Sequence, residues 1–315
     1  MIRASKRDFV LFLRKNSLWS SPIEDAFLWN RRAAIACAEL GPLAEPALPV
    51  LAQAAKNSQA PEVVMDALEK MFPKSADVLT NLLATGDSLV RTKAAAILVA
   101  GFAYPQLVLP TFTALTNALL SSDLNAQVSA LSALSHSRTQ NDLILPVLLR
   151  TLSDSSLHPT VRALAAAGLG DWGSHLEVTM PALTKTLSDS DATVRQAVVT
   201  SLRGVGVATH DPDAVIGAVL QALEDPDATV RSEAAIDLGQ LGKDSRQRDR
   251  IVTALVKALA DWSEDVALAA ANSLARLGAG DQPGVAELLK SVQEEGSSNT
   301  QQAVQRGRYS SPVER

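Results

Sequence analysis

Charged residues recur at a nearly fixed interval along the second half of this 315-residue chain. Asp154, Asp189, Asp225 and Asp261 each stand two residues after a leucine, 35, 36 and 36 residues apart, and Arg162, Arg195 and Arg231 follow the first three. Carboxylates and guanidinium groups repeated in this way can form a ligand-binding row or a charge ladder. Asp189-Ser-Asp191 and Asp225-Pro-Asp227 raise calcium as a ligand. An EF-hand loop, however, needs further oxygens, a mid-loop glycine and a closing glutamate, and none follows at the right spacing. These steps place a carboxylate where it can accept from the first free amides of a helix, so capping is the better reading.

Other chemistry has less support. His136, His158, His175 and His210 are the only histidines, with no His-x-x-x-His or His-Glu pair among them. Cys37 is the only cysteine, which excludes an intrachain disulfide and a cysteine-based metal site. There is no Gly-rich phosphate loop, no Gly-x-Ser-x-Gly elbow and no recognisable Cys-His arrangement. The sequence therefore predicts no catalytic residue, no cofactor and no metal ligand.

The elements that carry these charges follow from the apolar pattern. After each Leu-x-Asp step a valine opens a face with apolar residues at offsets 0, 4, 8 and 11: Val161, Ala165, Leu169, Trp172; Val194, Val198, Leu202, Val205; Val230, Ala234, Leu238, Leu241; Val266, Ala270, Leu274, Leu277. That is one helical stripe copied four times. Before each step stands an i, i+4 apolar pair, such as Leu183 with Leu187 and Leu255 with Leu259, so each unit is two helices. Gly170, Gly206, Gly242 and Gly278 fall at or beside the end of the second helix, where helix-terminating glycines are expected. A single pair cannot bury its own stripe, so neighbouring pairs must stack and share a core.

Weaker copies precede these, at Asp87 to Arg91, at Asp123 with Val128, at Asn30 to Gly41 and at Pro61 to Met71. The predicted fold is all-α, an α-solenoid (right-handed superhelix) of about eight helix pairs. Residues 1–24 are expected to form an N-terminal helical cap, 25–294 the repeat array with Pro283 to Glu294 as its terminal helix, and 295–315 a disordered tail.

Composition agrees with close helix packing: 47% of residues are hydrophobic but only 4% aromatic. The net charge of −5 is far from that of a dedicated nucleic-acid binder, so no nucleic acid is expected. The basic clusters Arg3 to Lys15 and Lys243, Arg246, Arg248 and Arg250, the latter with Asp244 and Asp249 interspersed, read as solvated helix ends. Phe9 to Leu13 is too short for a secretory core, and Ala94 to Tyr104 falls well short of a membrane span. A soluble, cytoplasmic protein is expected, its oligomeric state left open.

The residues of the repeat resemble the HEAT family, whose units show a proline early in the first helix, an aspartate at its end and a Val-Arg pair entering the second. Pro146 and Pro181 each precede their aspartate by eight residues, and Val194-Arg195 and Val230-Arg231 complete the signature. Gly217 and Thr253 replace the proline in the next two units, and Ala267 replaces the arginine in the last. The resemblance covers roughly residues 25 to 294. It implies that Asp154, Asp189, Asp225 and Asp261 with Arg162, Arg195 and Arg231 form a structural ladder joining successive turns.

That fold is shared by scaffolds, adaptors and a few enzymes. Deoxyhypusine hydroxylases hold a di-iron centre on repeated His-Glu pairs, which this chain lacks. Phycobilin lyases share the architecture alone. Alkylpurine DNA glycosylases use an aspartate among aromatic residues on a basic surface; Asp171-Trp172 is the nearest local echo, but the chain is acidic and Trp172 falls on a core offset. The expected function is therefore non-catalytic binding of a protein partner on the concave surface lined by second helices, with a bilin-handling protein and a DNA glycosylase as the alternatives. Packing makes core and cap residues repeat, so recognition residues are sought among those that do not. The candidates are Gln196, Thr200, Arg203, Glu233 and Asp237 on second helices, and Trp262 in an inter-helix turn, either a packing plug or an exposed anchor.

Overall fold

A computed structural model describes residues 24–57, 61–137, 140–170, 175–243 and 245–279, and among these residues there are helices and turns but no strand. The predicted N-terminal cap up to residue 23, the terminal helix from Pro283 and the tail lie outside the described residues. Contacts divide the chain into two compact units, Met1–Ile144 and Leu145–Arg315.

In the first unit α1 (Glu24–Leu40) precedes three helix pairs: α2 (Leu48–Asn57) with α3 (Pro61–Lys70), α4 (Ala76–Thr85) with α5 (Ser88–Leu98), and α6 (Val108–Leu119) with α7 (Leu124–His136). Alternate helices form the two layers of the stack, α1 on α3, α3 on α5 and α5 on α7, with α2, α4 and α6 along the other side. Residues Arg31–Lys56 have the length and apolar composition of a membrane span. They reach that length only by joining α1 to α2 through a 3-10 segment, Gly41–Ala47, in which Gly41 adopts φ +53° and Pro46 interrupts the turn.

α8 (Asn141–Ser153) straddles the division. The second unit continues with α9 (Pro159–Gly170), then the pairs α10 (Leu176–Thr186) with α11 (Ala192–Ala208), α12 (Asp213–Ala222) with α13 (Ala228–Leu241), and α14 (Arg248–Ala258) with α15 (Glu264–Arg276). Here α9, α11, α13 and α15 pack in sequence as one layer of an α-solenoid. The described valine-register residues of these four helices are all buried, as are the i, i+4 pairs of the first helices. Each leucine or valine taken fully out of water contributes roughly 1.5–3 kcal/mol, so the shared stripe supplies most of the cohesion. Trp172 lies outside the described residues.

Helix starts follow local chemistry. Asp87, Asp123, Asp191 and Asp227 occupy N-cap positions and accept from the amides of Val90, Ala126, Thr193 and Thr229 at 2.9, 3.1, 2.9 and 2.8 Å. Each satisfies one of the amides that an α-helix leaves unpaired at its start.

One of the glycines, Gly206, requires a correction. Of the four expected to end helices, only Gly278 takes the left-handed conformation, at φ +66°, with Ala279 donating back to the Leu274 carbonyl in the manner of a Schellman turn. Gly170 is the last residue of α9 and Gly242 caps α13 at φ −72°, both at helix ends as expected, whereas Gly206 lies inside α11, two residues before its end. Gly170 also serves close packing: a Cβ on it would stand 2.9 Å from the Ser201 Cα. Gly204 and Gly239 do the same against the Gly170 carbonyl oxygen and the Ser273 Cα, at 2.9 and 2.8 Å. Small residues here bring second helices together almost backbone to backbone.

Gly217, in a first helix, has nothing within 4 Å of the place a Cβ would take, whereas Gly239 faces Ser273 directly. Gly239→Ala is therefore expected to lose about 1–3 kcal/mol through overpacking, while Gly217→Ala stays neutral or gains up to about 1 kcal/mol from helix propensity. Chemical denaturation of the two variants side by side checks the contrast.

Candidate functional site

The repeated charges assemble into rungs between successive pairs. Arg195, at the start of α11, donates from Nε and Nη2 to Oδ2 and Oδ1 of Asp225 in the next pair, both at 2.8 Å, and from Nη1 to the Asp189 carbonyl oxygen at 2.8 Å. Arg231 repeats the arrangement on Asp261 at 2.7 and 2.8 Å, with Nη1 on the Asp225 carbonyl oxygen at 2.8 Å. Arg162 does so on Asp189 at 3.0 and 2.8 Å, with Nη1 on the Leu157 carbonyl oxygen. Each guanidinium thus holds its own inter-helix turn and the next one. In the first unit Arg91 pairs with Asp123, which also caps α7.

Asp154 behaves differently: Oδ1 accepts from the Ser156 amide and hydroxyl at 3.0 and 2.6 Å, inside its own turn. In the preceding repeat of the sequence Ser129 stands where the arginine of the Val-Arg pair would be.

Both oxygens of Asp189, Asp225 and Asp261 receive a guanidinium, and Oδ1 also accepts the amide two residues on, from Asp191, Asp227 and Ser263 at 2.9, 2.8 and 2.9 Å. Both oxygens of each carboxylate are thus engaged, and a guanidinium stands where a calcium ion would have to bind. Burial pushes the Asp189 carboxyl up, but hydrogen bonds from Arg162 and the Asp191 amide outweigh it and leave the pKa below its ordinary value of 3.8. The Arg231 hydrogen bond lowers Asp261 likewise, against its burial. Hydrogen bonds from their aspartates push the Arg195 and Arg231 guanidinium pKa values up.

A groove of about 680 Å³ opens on the layer of second helices in this unit, lined by Gln196 from α11, by Ser232, Glu233 and Ile236 from α13, and by Asp265, Leu268, Asn272 and Arg276 from α15. Ile236 and Leu268 present aliphatic surface to solvent in it. In register these residues fall mainly two and six places after the opening valine, the two rows that the buried stripe leaves free.

Of the candidate partner-binding residues, Gln196 and Glu233 line this groove. Thr200 is exposed beside it and donates to Glu233 Oε1 at 3.2 Å. Arg203 is half-buried and donates to Gln240 Oε1 at 3.4 Å. Asp237, a candidate for the surface, is not there: it is 0% exposed. Its offset of seven from Val230 points it into the neighbouring second helix, where the sibling repeats carry Gly168, Ser201 and Ser273.

Trp262 is 82% exposed, so it is no packing plug; its ring lies over the Arg231 guanidinium, 5.2 Å from ring centroid to Cζ, above a smaller cavity that also meets Pro226 and Lys257. Ile236, Leu268 and Asp265 are not among the sequence candidates. The available signal is a large aliphatic residue off the buried offsets.

Among the described residues no group of three or more His, Cys, Asp or Glu side chains is placed to hold a metal ion. Asp171 and Trp172 lie outside the described residues, as does the basic cluster from Arg3 to Lys15. The second basic cluster is pinned at two places, with Arg246 on Asp213 at 2.6 Å and Arg248 on the Leu277 carbonyl oxygen.

The sequence profile of HEAT repeats matches residues 112–203 and 216–307, more than half of the chain. The chain belongs to the HEAT-repeat family. Its HEAT units are also similar to solved structures. YibA of Escherichia coli aligns at 16% identity over 88% of this chain and 98% of its own, with a TM-score of 0.51. A Kap121p mutant aligns at 15% identity over 91% of this chain and 35% of its own, with a TM-score of 0.57. Kap95p aligns at 15% identity over 87% of this chain and 40% of its own, with a TM-score of 0.55. At these identities the likeness carries the fold alone. No curated protein matches the chain in sequence.

Two measurements follow from the rungs. The Arg195 and Asp225 side chains are 10% and 7% exposed, so Arg195→Ala strands a buried carboxylate and is expected to cost about 3–5 kcal/mol of stability. Arg195→Lys, which cannot form the fork, falls between. The depressed Asp189 and Asp261 pKa values stabilise the fold fully above the ordinary value of 3.8 and lose that contribution as pH falls through the folded values. Thermal melts from neutral pH into acid should therefore drop below about pH 4, and Arg231→Gln should flatten that drop.

Proposed function

We propose that this HEAT-repeat protein is a non-catalytic scaffold that holds a protein partner in the groove on the second helices of its C-terminal unit. The observation that carries the reading is that the groove is built from the residues that do not repeat. Ile236 and Leu268 stand exposed among Gln196, Glu233, Asp265, Asn272 and Arg276, while the repeated charges are engaged in rungs and caps. A shallow floor of aliphatic surface with a polar, mixed-charge rim is the composition of a protein-binding patch. The open groove lacks the enclosure that a small substrate requires. Kap95p, whose fold the chain shares, binds RanGDP, and that use of the fold supports the same use here.

Trp262 is a second exposed feature of the same unit, at a separate cavity beside the first helix α14. A large aromatic side chain left in water on top of an immobilised guanidinium is a rigid anchor that orders at little entropic cost.

The test is affinity capture from the native host with wild-type protein, Ile236→Glu and Leu268→Glu run in parallel. One protein partner recovered by the wild type and reduced about 10-fold or more by either variant, with melting temperatures unchanged, is the expected outcome. A partner held equally by all three would move the site elsewhere, and recovery of only nucleic acid or a small molecule would overturn the reading.

A further inference from the structure

The second helices of the C-terminal unit do not meet alike. Counting from the opening valine, the seventh following residue is Gly168, Ser201, Asp237 and Ser273 in α9, α11, α13 and α15, and the ninth is Gly170, Arg203, Gly239 and Ala275. Position seven of one helix packs on position nine of the helix before it. α9 meets α11 as Gly170 on Ser201, and α13 meets α15 as Gly239 on Ser273, with no room for a methyl group at either glycine. Ser201 also donates across its joint to the Ala166 carbonyl oxygen at 2.8 Å. Between α11 and α13 the same two positions hold Arg203 and Asp237, with Nε 2.6 Å from Oδ1. Two charged side chains thus stand where the flanking joints are nearly backbone to backbone, and this joint packs its two helices less closely than either neighbouring joint does.

It is also the one with unsatisfied chemistry. Asp237 is completely buried, yet among the described residues neither carboxylate oxygen nor Arg203 Nε makes an aligned hydrogen bond. The Arg203 side chain is 31% exposed, so it has a path to water that Asp237 lacks. The charges acting on Asp237 are Arg203 from α11 and Glu233 one turn back on α13. The other helices packed on α13 have their charges engaged elsewhere or turned to solvent. Asp213 of α12 is bonded to Ser245 and Arg246, Lys257 of α14 pairs with Glu224, Arg248 holds Leu277, and Arg250 holds Gln247. Asp249 of α14 and Glu264, Asp265 and Arg276 of α15 are exposed.

We propose that the α11–α13 joint is a proton-operated hinge. With Asp237 ionised, Arg203 is held across the joint. When a proton from solvent neutralises the carboxylate, the guanidinium has no counter-charge inside, swings along its path to water, and the joint changes its spacing. The groove walls that bear Gln196 on α11 and Glu233 on α13 move with it, so the width of the groove is set by proton occupancy at one buried carboxyl. The inference concerns the groove's geometry and holds whatever occupies it.

The titration range supports a switch near neutrality: burial pushes the Asp237 carboxyl up to about 7, against the pull of Arg203, and Glu233 adds to the rise. The sign is that of a carboxyl raised above its unfolded value. Its contribution to stability is fully present below the ordinary 3.8 and is lost as pH rises through about 7.

The experiment places spin labels at Thr193→Cys and Thr229→Cys, on α11 and α13, in the full chain with Cys37→Ala, and measures the inter-label distance from about pH 5.5 to about pH 8.5. The expected result is a distance change with a midpoint near 7, absent in Asp237→Asn. The double variant Arg203→Gly/Asp237→Ser restores the residue types of the flanking joints. It should give a shorter distance that does not depend on pH, and it keeps the test decisive if Asp237→Asn fails to fold. In parallel, the Asp237 carboxyl carbon is followed by NMR. A distance unchanged over the range, a pH response that persists in the double variant, or a carboxyl that titrates near 4 would each overturn the proposal.

Discussion

The fork that each ladder arginine makes decides how one HEAT unit sits on the next. Nη1 is fixed to a carbonyl oxygen of the arginine's own inter-helix turn, while Nε and Nη2 grip the aspartate that closes the first helix of the following pair. That aspartate in turn accepts the amide two residues on, which brings Asp191 and Asp227 into place as caps of α11 and α13. One planar group therefore links two turns and a helix start. A lysine, with no fork, could satisfy only part of this. Taken singly, a buried ion pair contributes little net stability, because desolvation offsets most of the attraction. The apolar stripe supplies the cohesion, and the rung supplies the register, since an apolar surface alone would tolerate sliding.

With register held in this way, the second helices can approach through Gly170, Ser201, Gly204, Gly239 and Ser273. Such contacts are intolerant of a single methyl group, and they form only if the helices meet at the right height. The rows two and six places after each opening valine are then freed from packing. The groove occupies those rows, and they vary from unit to unit: Gln196, Ser232 and Leu268 in one, Thr200, Ile236 and Asn272 in the other. Repetition and recognition are thus divided between faces of the same helix.

How much of this the chain shows before folding depends on what periodicity can carry. The stripe from Val194 to Val205 and its copies announce the helices, and the Leu-x-Asp steps announce the turns, because burial and capping demand fixed residue types at fixed offsets. Periodicity does not report how near two helices approach. A glycine that ends a helix and a glycine that admits a neighbour's backbone look the same in one dimension, which is why Gly206 reads as a terminator, the second role of Gly170 stays hidden, and Gly204 and Gly239 do not stand out. Asp237 misleads for a related reason. A carboxylate on a helix is ordinarily at the surface, and only comparison with Gly168, Ser201 and Ser273 shows that its offset is a buried one.

In a repeat protein the sibling units provide an internal reference for each position, so a residue out of character with its siblings marks a place where something other than packing acts. Leu268 is out of character with Gln196 and Ser232, and Trp262 with Ser190 and Pro226; both leave apolar surface in water. Arg203 and Asp237 are out of character as a pair, and in contact with each other. A chance polar residue in a tight joint would be costly on its own. Two of opposite charge face each other across the one joint whose flanking copies are glycine on serine. That joint gives up the tightest packing available to the fold and gains a charge that can be switched.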